Sequence, residues 1–213
     1  MLREVISNEW FTILIVLSLG ILAFAKFSFA VRFNEYLGVL GNSKYLKIYA
    51  REQKFFDQFD ALLFVNMIVS VSIFSFIGYN SLIGDLEFDL ELFSKIILGI
   101  GALILIKIML ERLVGSLFEI DALIDAYLFQ KTNYKNYIGL LLLPINIILI
   151  YAVTPSKGVI YVILGLLTLV NLFGIFTSFR MHQKILLSNL FYFILYLCAL
   201  EIGPYIILYK LFN

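Results

Sequence analysis

Residues 185–213 read ILLSNLFYFILYLCALEIGPYIILYKLFN, an apolar run of membrane-spanning length that contains one acid and one proline. A carboxylate at bilayer depth costs about 2.5–3.5 kcal/mol on insertion scales, so an acid such as Glu201 usually faces protein or trapped water. Pro204 cannot donate a backbone hydrogen bond to the carbonyl of Leu200, which loosens the helix within one turn of Glu201. The stretch predicts a transmembrane helix whose acid is either a working polar site or a protonated side chain packed beside a kink.

The composition of the whole chain is that of an integral membrane protein. Of its 213 residues, 62% are hydrophobic and 15% are charged, whereas soluble domains are roughly 45–50% apolar and about 25% charged. The net charge of +1 argues against a nucleic-acid partner. With Cys198 as the single cysteine, the chain can form neither an intrachain disulfide nor a cysteine-based metal site.

The apolar runs predict an all-α fold, a polytopic transmembrane helical bundle of about six spans in one domain over residues 1–213. The predicted spans cover residues 10–30, 61–83, 93–110, 138–153, 158–179 and 185–212. The fourth is short and contains Pro144, so Pro144 and Pro204 are the two predicted helix breaks.

Basic residues are distributed unevenly between the two sides of this predicted bundle. The connections after spans one, three and five hold Arg32, Lys44, Lys47, Arg51, Lys54, Arg112, Lys131, Lys135, Arg180 and Lys184. The opposite side holds only Arg3, Lys95, Lys157 and Lys210. Because cytoplasmic loops are rich in lysine and arginine, the first set is predicted to be cytoplasmic and both termini to lie outside.

A basic stripe is predicted between spans one and two. Residues 43–57, SKYLKIYAREQKFFD, place Lys44, Lys47, Arg51 and Lys54 at spacings of three and four, on one face of a helix. Aromatic and aliphatic residues gather on an adjoining face. The pattern predicts an interfacial amphipathic helix on the anionic cytoplasmic leaflet, with a solvated connector that has no lipid role as the alternative.

Signatures of common enzymes are missing from the sequence. It has no Gly-x-Ser-x-Gly, no His-Glu-x-x-His, no phosphate-binding glycine loop and no dinucleotide fingerprint. The one histidine, His182, lies in a predicted basic turn, and the acids Glu119, Asp121 and Asp125 do not share one helix face. We therefore predict no catalytic residue, no metal and no cofactor, and we leave enzymatic activity open while leaning against it.

A polar layer is predicted in the outer half of the bundle. Glu201 lies about seven residues, on the order of 10 Å, below the outer surface. Asn146, Ser18 and Thr168 lie at the same depth, and Lys95 at the start of its span can reach down to them. This layer is either a substrate or proton site, or a set of interhelical hydrogen bonds worth about 0.6–2 kcal/mol each.

The final stretch also resembles a known family. The segment NLFYFILYLCALEIGPYIILYK is similar to the C-terminal signature of an uncharacterised family of polytopic inner-membrane proteins of Bacteroidota, with Tyr196, Cys198, Glu201 and Pro204 matching. Residues 125–131 and 139–151 are similar as well. The resemblance implies a Gram-negative inner membrane, and with the charge bias it puts both termini in the periplasm. It implies no activity, although the match is densest around Glu201.

Three functions follow as hypotheses. The first is a non-enzymatic component or assembly partner of an envelope complex, with a membrane protein or a second copy as its partner. The second is a small transporter or channel in which Glu201 titrates, since proline-broken helices are typical of transporters. The third, ranked last, is a lipid-acting enzyme that uses cytoplasmic residues such as His182, Glu119 and Asp121.

Overall fold

The computed structural model of the chain describes residues 9–41, 44–49, 57–84, 88–117 and 120–188. Within these ranges all regular structure is helical, which confirms the all-α prediction. The helices are α1 (Glu9–Ser28), α2 (Ala30–Leu37), α3 (Lys44–Tyr49), α4 (Gln58–Leu82), α5 (Leu90–Leu117), α6 (Asp121–Tyr151) and α7 (Lys157–Ser188).

Five of these helices, α1, α4, α5, α6 and α7, are long and apolar enough to cross a membrane. A bilayer core offers no water to backbone groups, so an apolar stretch of about 20 residues satisfies them by forming a helix. The first five predicted spans therefore correspond to helices, and the chain is a multi-pass membrane protein. The sixth, residues 185–212, lies outside the described residues apart from its first four, which belong to α7.

The bundle has two recognisable ends. At the first, the Phe11 end, the ring of Phe11 packs against Phe88 and Phe93, with centroids 4.8 and 6.2 Å apart. There the Ser81 hydroxyl, near the end of α4, donates to the Pro155 carbonyl before α7, 2.8 Å away. At the second, the Arg32 end, α2 and α3 cover the starts of α4 and α6. The five long helices thus alternate in direction along the chain, so that α4 and α6, which are separated by α5 in sequence, run parallel.

Helices α4 and α6 form the centre of the bundle. In the most apolar part of each helix, 61% of α4 and 44% of α6 is buried, against 11% of α5 and of α7. The two central helices come closest at Gly139, where an added Cβ would lie 2.4 Å from the Cα of Met67. Small residues permit such close approach between membrane helices.

The predicted helix break at Pro144 is wrong. Helix α6 continues through Pro144 from Asp121 to Tyr151. The proline withholds only the hydrogen bond to the carbonyl of Leu140. Residues on either side of it, Leu142, Leu143 and Asn146, are buried against neighbouring helices, and this packing keeps the helix continuous.

Residues 111–137, which lie between the third and fourth predicted spans, belong almost entirely to helices. Helix α5 runs on to Leu117 and α6 begins at Asp121, so only residues 118–120 separate them. Polar residues of this stretch, including Gln130, Asn133 and Asn136, are buried. The turn predicted at residues 180–184 likewise lies within α7, which continues to Ser188.

A short helix, α3, does lie between spans one and two, but its apolar face contacts protein. Tyr45 and Leu46 are 1% and 0% exposed, and the ring of Tyr45 packs against Tyr36 and Phe129. An apolar face that is already buried in this way is not available for insertion into lipid. The side chains of Lys44 and Lys47, and the whole of Arg51 and Lys54, lie outside the described part of the chain, so their contact with lipid stays a prediction.

Candidate functional site

The structure brings together two residues of the predicted polar layer, Ser18 of α1 and Asn146 of α6. With Ser70 of α4 they line one crevice between three helices, together with Ile15, Ile73 and Leu143. The side-chain amide of Asn146 donates to the backbone carbonyl of Ser70 across 2.9 Å. The Ser18 hydroxyl and the Asn146 side-chain oxygen are buried and have no hydrogen-bond partner among the described residues.

This crevice is too tight to be a chamber for a solute. Its empty space, counted together with the part that opens to the outside, is about 150 Å³, but no part of it is wide enough for a water molecule. It offers one hydroxyl and one amide oxygen, neutral groups of the kind that hydrogen-bond between membrane helices. In this conformation the Ser18–Ser70–Asn146 crevice acts as packing between α1, α4 and α6.

Lys95 and Thr168 do not line the crevice. Lys95 pairs with Glu91 one turn earlier in α5, with Nζ and Oε1 2.6 Å apart, and both side chains are exposed. The Thr168 hydroxyl donates to the Leu164 carbonyl of its own helix, 2.8 Å away. Glu201 and Pro204 lie outside the described residues, so their place in the predicted polar layer remains a prediction.

A second group of polar residues, at the Arg32 end, was not identified as a site from the sequence. Arg32 of α2 donates to Asp57 and to Asp60, and its Nη2 lies 3.1 Å from the Asp60 carboxylate. The guanidinium also lies over the rings of Tyr49 and Phe59, 4.7 and 4.8 Å from their centroids. Arginine suits this position because its planar cation can fork between carboxylates and stack on aromatic rings.

Asp57 joins this Arg32 cluster to the start of α4. As the N-cap residue it accepts a hydrogen bond from the backbone amide of Phe59, 3.2 Å away. An N-cap aspartate satisfies an otherwise unpaired amide and adds negative charge at the positive end of the helix. The same carboxylate therefore begins α4 and ties it to Arg32 of α2.

Tyrosines connect the Arg32 cluster to α6. The Tyr36 hydroxyl donates to the Asn133 carbonyl across 2.9 Å, and Nε of Arg32 donates to the Tyr45 hydroxyl across 3.2 Å. Burial raises the pKa of Tyr36 well above its ordinary value, and the pKa of Tyr45 is raised by burial first and by the Asp60 carboxylate second. Both phenols therefore stay protonated, which makes them hydrogen-bonding groups and not acids at physiological pH.

An ion pair joins α5 to α6 at the same end. The Lys131 ammonium lies 2.7 Å from Oε1 of Glu111, and the two side chains are 10% and 0% exposed. Beside it, Arg112 pairs with Asp125 across 3.4 Å at a half-exposed position. Buried ion pairs add little net stability but fix the alignment of helices in some proteins, and this pair joins α5 to α6.

Few of these residues carried a usable signal in the sequence. Asp57 and Asp60, three apart before an apolar run, have the pattern of a capped helix start. Arg32 was counted only as a loop charge, and nothing in the sequence links it to acids 25 and 28 positions away. Lys131 and Glu111 are separated by 20 positions, so their pairing depends on the α5–α6 hairpin that the sequence did not reveal.

The chemistry of the described site is that of paired charges and neutral hydrogen bonds. Within the described ranges there is no group of three or more His, Cys, Asp or Glu side chains placed to hold a metal ion. A family model described as Domain of unknown function (DUF4271) matches residues 11–212. No curated protein and no solved structure matches the chain.

Proposed function

The chain belongs to the DUF4271 family, a family of unknown function, and we propose that it is a non-enzymatic component of a larger envelope complex. One observation carries this proposal. The charged side chains of the Arg32 cluster and of the Lys131–Glu111 pair are engaged in contacts that join helices, and the crevice between α1, α4 and α6 has no room for a water molecule. Such a structure suits a protein that assembles with partners better than one that transports a substrate or converts it chemically.

The outer surface of the bundle supports the same proposal. Helices α5 and α7 expose most of their apolar length, with Leu103 of α5 70% exposed and Val162 of α7 64% exposed. Such faces are covered either by lipid or by partner helices, which pack through shape and small residues in a bilayer. Gly99 of α5 has no atom within 4 Å of an added Cβ, so a partner helix has space to approach there.

We further propose that this assembly lies in the inner membrane of a Gram-negative bacterium of the Bacteroidota type. The ten-to-four bias of basic residues supports a cytoplasmic Arg32 end and periplasmic termini. The basic stripe of Lys44, Lys47, Arg51 and Lys54 would then face anionic headgroups, each residue contributing about 1 kcal/mol. Anionic lipid should raise the thermal stability of the protein in low salt, and an equal effect from neutral lipid would reject this contact.

A small transporter with Glu201 as its titratable group is the second candidate. It is favoured by the buried polar atoms without a partner among the described residues, the Ser18 hydroxyl and the side-chain oxygen of Asn146. A bound water or ion is one of the known explanations for a buried polar atom that has no protein partner. The continuity of α6 through Pro144 weakens the comparison with transporters that use broken helices.

Site-specific photocross-linking in the native host tests the assembly proposal. A photoreactive residue replaces Leu103 on α5, Val162 on α7 or Val16 on α1, all three exposed, and Ile73 of α4, 2% exposed, is the buried control. An assembly component should give one recurrent protein adduct from a single exposed face and none from Ile73. Deleting the chain should also lower the abundance of that same partner.

Purified protein in liposomes separates the two candidates. The liposomes contain this chain as their sole protein. If they conduct protons or small ions, and if Glu201→Gln folds normally but abolishes the flux, the assembly proposal is wrong and the transporter hypothesis is correct. If Glu201→Gln leaves growth and partner abundance unchanged, the titratable-site hypothesis fails.

A further inference from the structure

The interface between the parallel helices α4 and α6 changes character along its length. From the Arg32 end inward, its close contacts are the Asn136 amide with the Asp60 carbonyl, Gly139 with Met67, and the Asn146 amide with the Ser70 carbonyl. Toward the Phe11 end the surrounding core is a cluster of aromatic and aliphatic side chains that includes Phe76, Phe93 and Leu149. The polar part of the interface is therefore the part nearer to the Arg32 end.

Asn66 of α4 lies in this polar part and has an amide without a partner. The residue is 0% exposed, and neither its Oδ1 nor its Nδ2 has a hydrogen-bond partner among the described residues. Ser70 and Ile73, four and seven positions later, share a helix stripe with Asn66 and line the crevice between α1, α4 and α6. Asn66 therefore faces the same junction of three helices, one turn closer to the Arg32 end.

Two further oxygen atoms without a partner lie between Asn66 and the Arg32 cluster. Asn136 is 0% exposed, and its Oδ1 has no partner within the described ranges. The same holds for Oδ1 of Asp60, whereas its Oδ2 pairs with Arg32. The side chains of Asp60 and Asp57 are 19% and 32% exposed, so the cluster opens to the outside. A row of such atoms thus extends inward from this opening over six residues of α4, or about 9 Å.

The chemistry of these atoms selects one kind of ligand. The Nδ2 group of Asn66 is a donor, whereas the Oδ1 atoms of Asn66, Asn136 and ionised Asp60 are acceptors. A metal ion would leave the donor unsatisfied, and an anion would leave the acceptors unsatisfied. Water satisfies both, and a buried water molecule typically makes about three hydrogen bonds to polar groups that the protein leaves unpaired.

We propose that water enters the α4–α6 interface from the Arg32 end and binds at Asp60, Asn136 and Asn66, which together form the Asn66 inlet. The inlet is closed at its inner end, because Gly139 packs against the backbone of Met67 and the crevice beyond has no room for water. Water therefore reaches Asn66, the ninth of the 25 residues of α4, from one side only. The proposal is independent of the proposed function, since a closed inlet fits an assembly component and would be the entry path of a transporter.

Thiol labelling in membrane vesicles tests the Asn66 inlet. In a Cys198→Ser background, one cysteine replaces Asn66 or Asn136. The matched controls are Ile73→Cys and Leu143→Cys, each seven residues further along the same helix stripe, at the crevice, where the native residues are 2% and 5% exposed. The probe is the silver ion, a small cation that moves through water and not through lipid, and it binds the thiolate that forms where water reaches the sulfur.

We expect silver to react with Asn66→Cys and Asn136→Cys several-fold faster than with Ile73→Cys and Leu143→Cys, and only when it is added on the Arg32 side. Equal rates within either matched pair would overturn the proposal. Equal rates from the two sides of the membrane, or no reaction at Asn66→Cys and Asn136→Cys in folded protein, would overturn it as well. Thermal melting of each variant verifies the fold before labelling.

Radiolytic labelling of the wild type provides a test that requires no substitution. Hydroxyl radicals generated from bound water oxidise the side chains next to that water. Phe59, whose ring lies 4.8 Å from the Arg32 guanidinium, and Phe93 at the Phe11 end are 0% and 1% exposed. The two rings are therefore matched in chemistry and burial. We expect oxidation of Phe59 and none of Phe93, and equal oxidation of both rings or of neither would overturn the inlet.

Discussion

Replacing Gly139 by alanine should separate the two central helices. The new Cβ would lie 2.4 Å from the Cα, 2.6 Å from the Cβ and 2.9 Å from the Cγ of Met67. Carbon atoms pack at about 3.5–4.0 Å, so α6 and α4 must move apart by about 1 Å or more. The obstacle includes backbone, which a change of rotamer cannot clear.

The loss in the free energy of unfolding that Gly139→Ala causes can be worked out from the same contact. Overpacking of this kind costs about 1–3 kcal/mol. Interhelical hydrogen bonds on either side of the contact, from Asn136 to the Asp60 carbonyl and from Asn146 to the Ser70 carbonyl, would lengthen, at about 0.6 kcal/mol each. Alanine recovers about 1 kcal/mol of helix propensity relative to glycine. The net loss should be about 1–3 kcal/mol.

The matched control is Gly99→Ala in α5, where an added Cβ meets nothing within 4 Å. It makes the same chemical change on an open face, so its stability should equal or exceed that of the wild type. Reversible unfolding in mixed micelles or a thermal melt in mild detergent measures both variants. If Gly139→Ala is as stable as Gly99→Ala, the close approach of α4 and α6 described here is incorrect.

Three further predictions concern the buried polar groups. Lys131→Met leaves the Glu111 carboxylate, which is 0% exposed, without its cation, and should lower the free energy of unfolding by about 3–5 kcal/mol. Adding Glu111→Leu should restore most of that stability in a thermal melt. A double variant no more stable than Lys131→Met would contradict this. Arg32→Lys keeps the charge but loses the forked contact with two carboxylates and the stacking on the rings, so we expect a stability loss of about 1–3 kcal/mol. Because the cluster is mostly buried, high salt should not change this loss. An unchanged melting temperature would show that the cluster is not structural. Ser18→Ala removes a buried hydroxyl that has no partner among the described residues, so stability should be unchanged or slightly higher. A stability loss above about 1 kcal/mol would instead reveal a hydrogen bond to that hydroxyl.

Pro144 and the residues before it show where local reasoning stops. A proline in a short apolar run favours a broken helix, and the apolar runs left residues 111–137 outside the predicted spans. Both interpretations judge a residue by its own chemistry. In the structure the side chains of Gln130, Asn133 and Asn136 in that stretch are buried, and the Asn136 amide donates to the Asp60 carbonyl of α4. Packing around Pro144 keeps α6 continuous. The sequence does not show which helices pack over these residues in the folded protein.

The sequence by itself determined that the described part of the chain is helical and which of its stretches are long and apolar enough to cross a membrane. In hydrocarbon every backbone group must be satisfied within its own segment, so an apolar run of sufficient length has to be a helix. That rule is local, and it located α1, α4, α5, α6 and α7 from composition alone.

Tertiary structure decided which polar groups meet. Arg32 pairs with Asp60, Lys131 with Glu111 and Asn146 with Ser70 only because the helices pack in one arrangement, since the partners lie 20 to 76 positions apart in the sequence. The energy of burying a charge or an amide depends on its partner, and partners far apart in sequence are fixed by packing. The predicted polar layer was based on depth in the membrane alone. It placed Ser18 with Asn146 correctly, but it also included Lys95 and Thr168, whose side chains bind partners on their own helices.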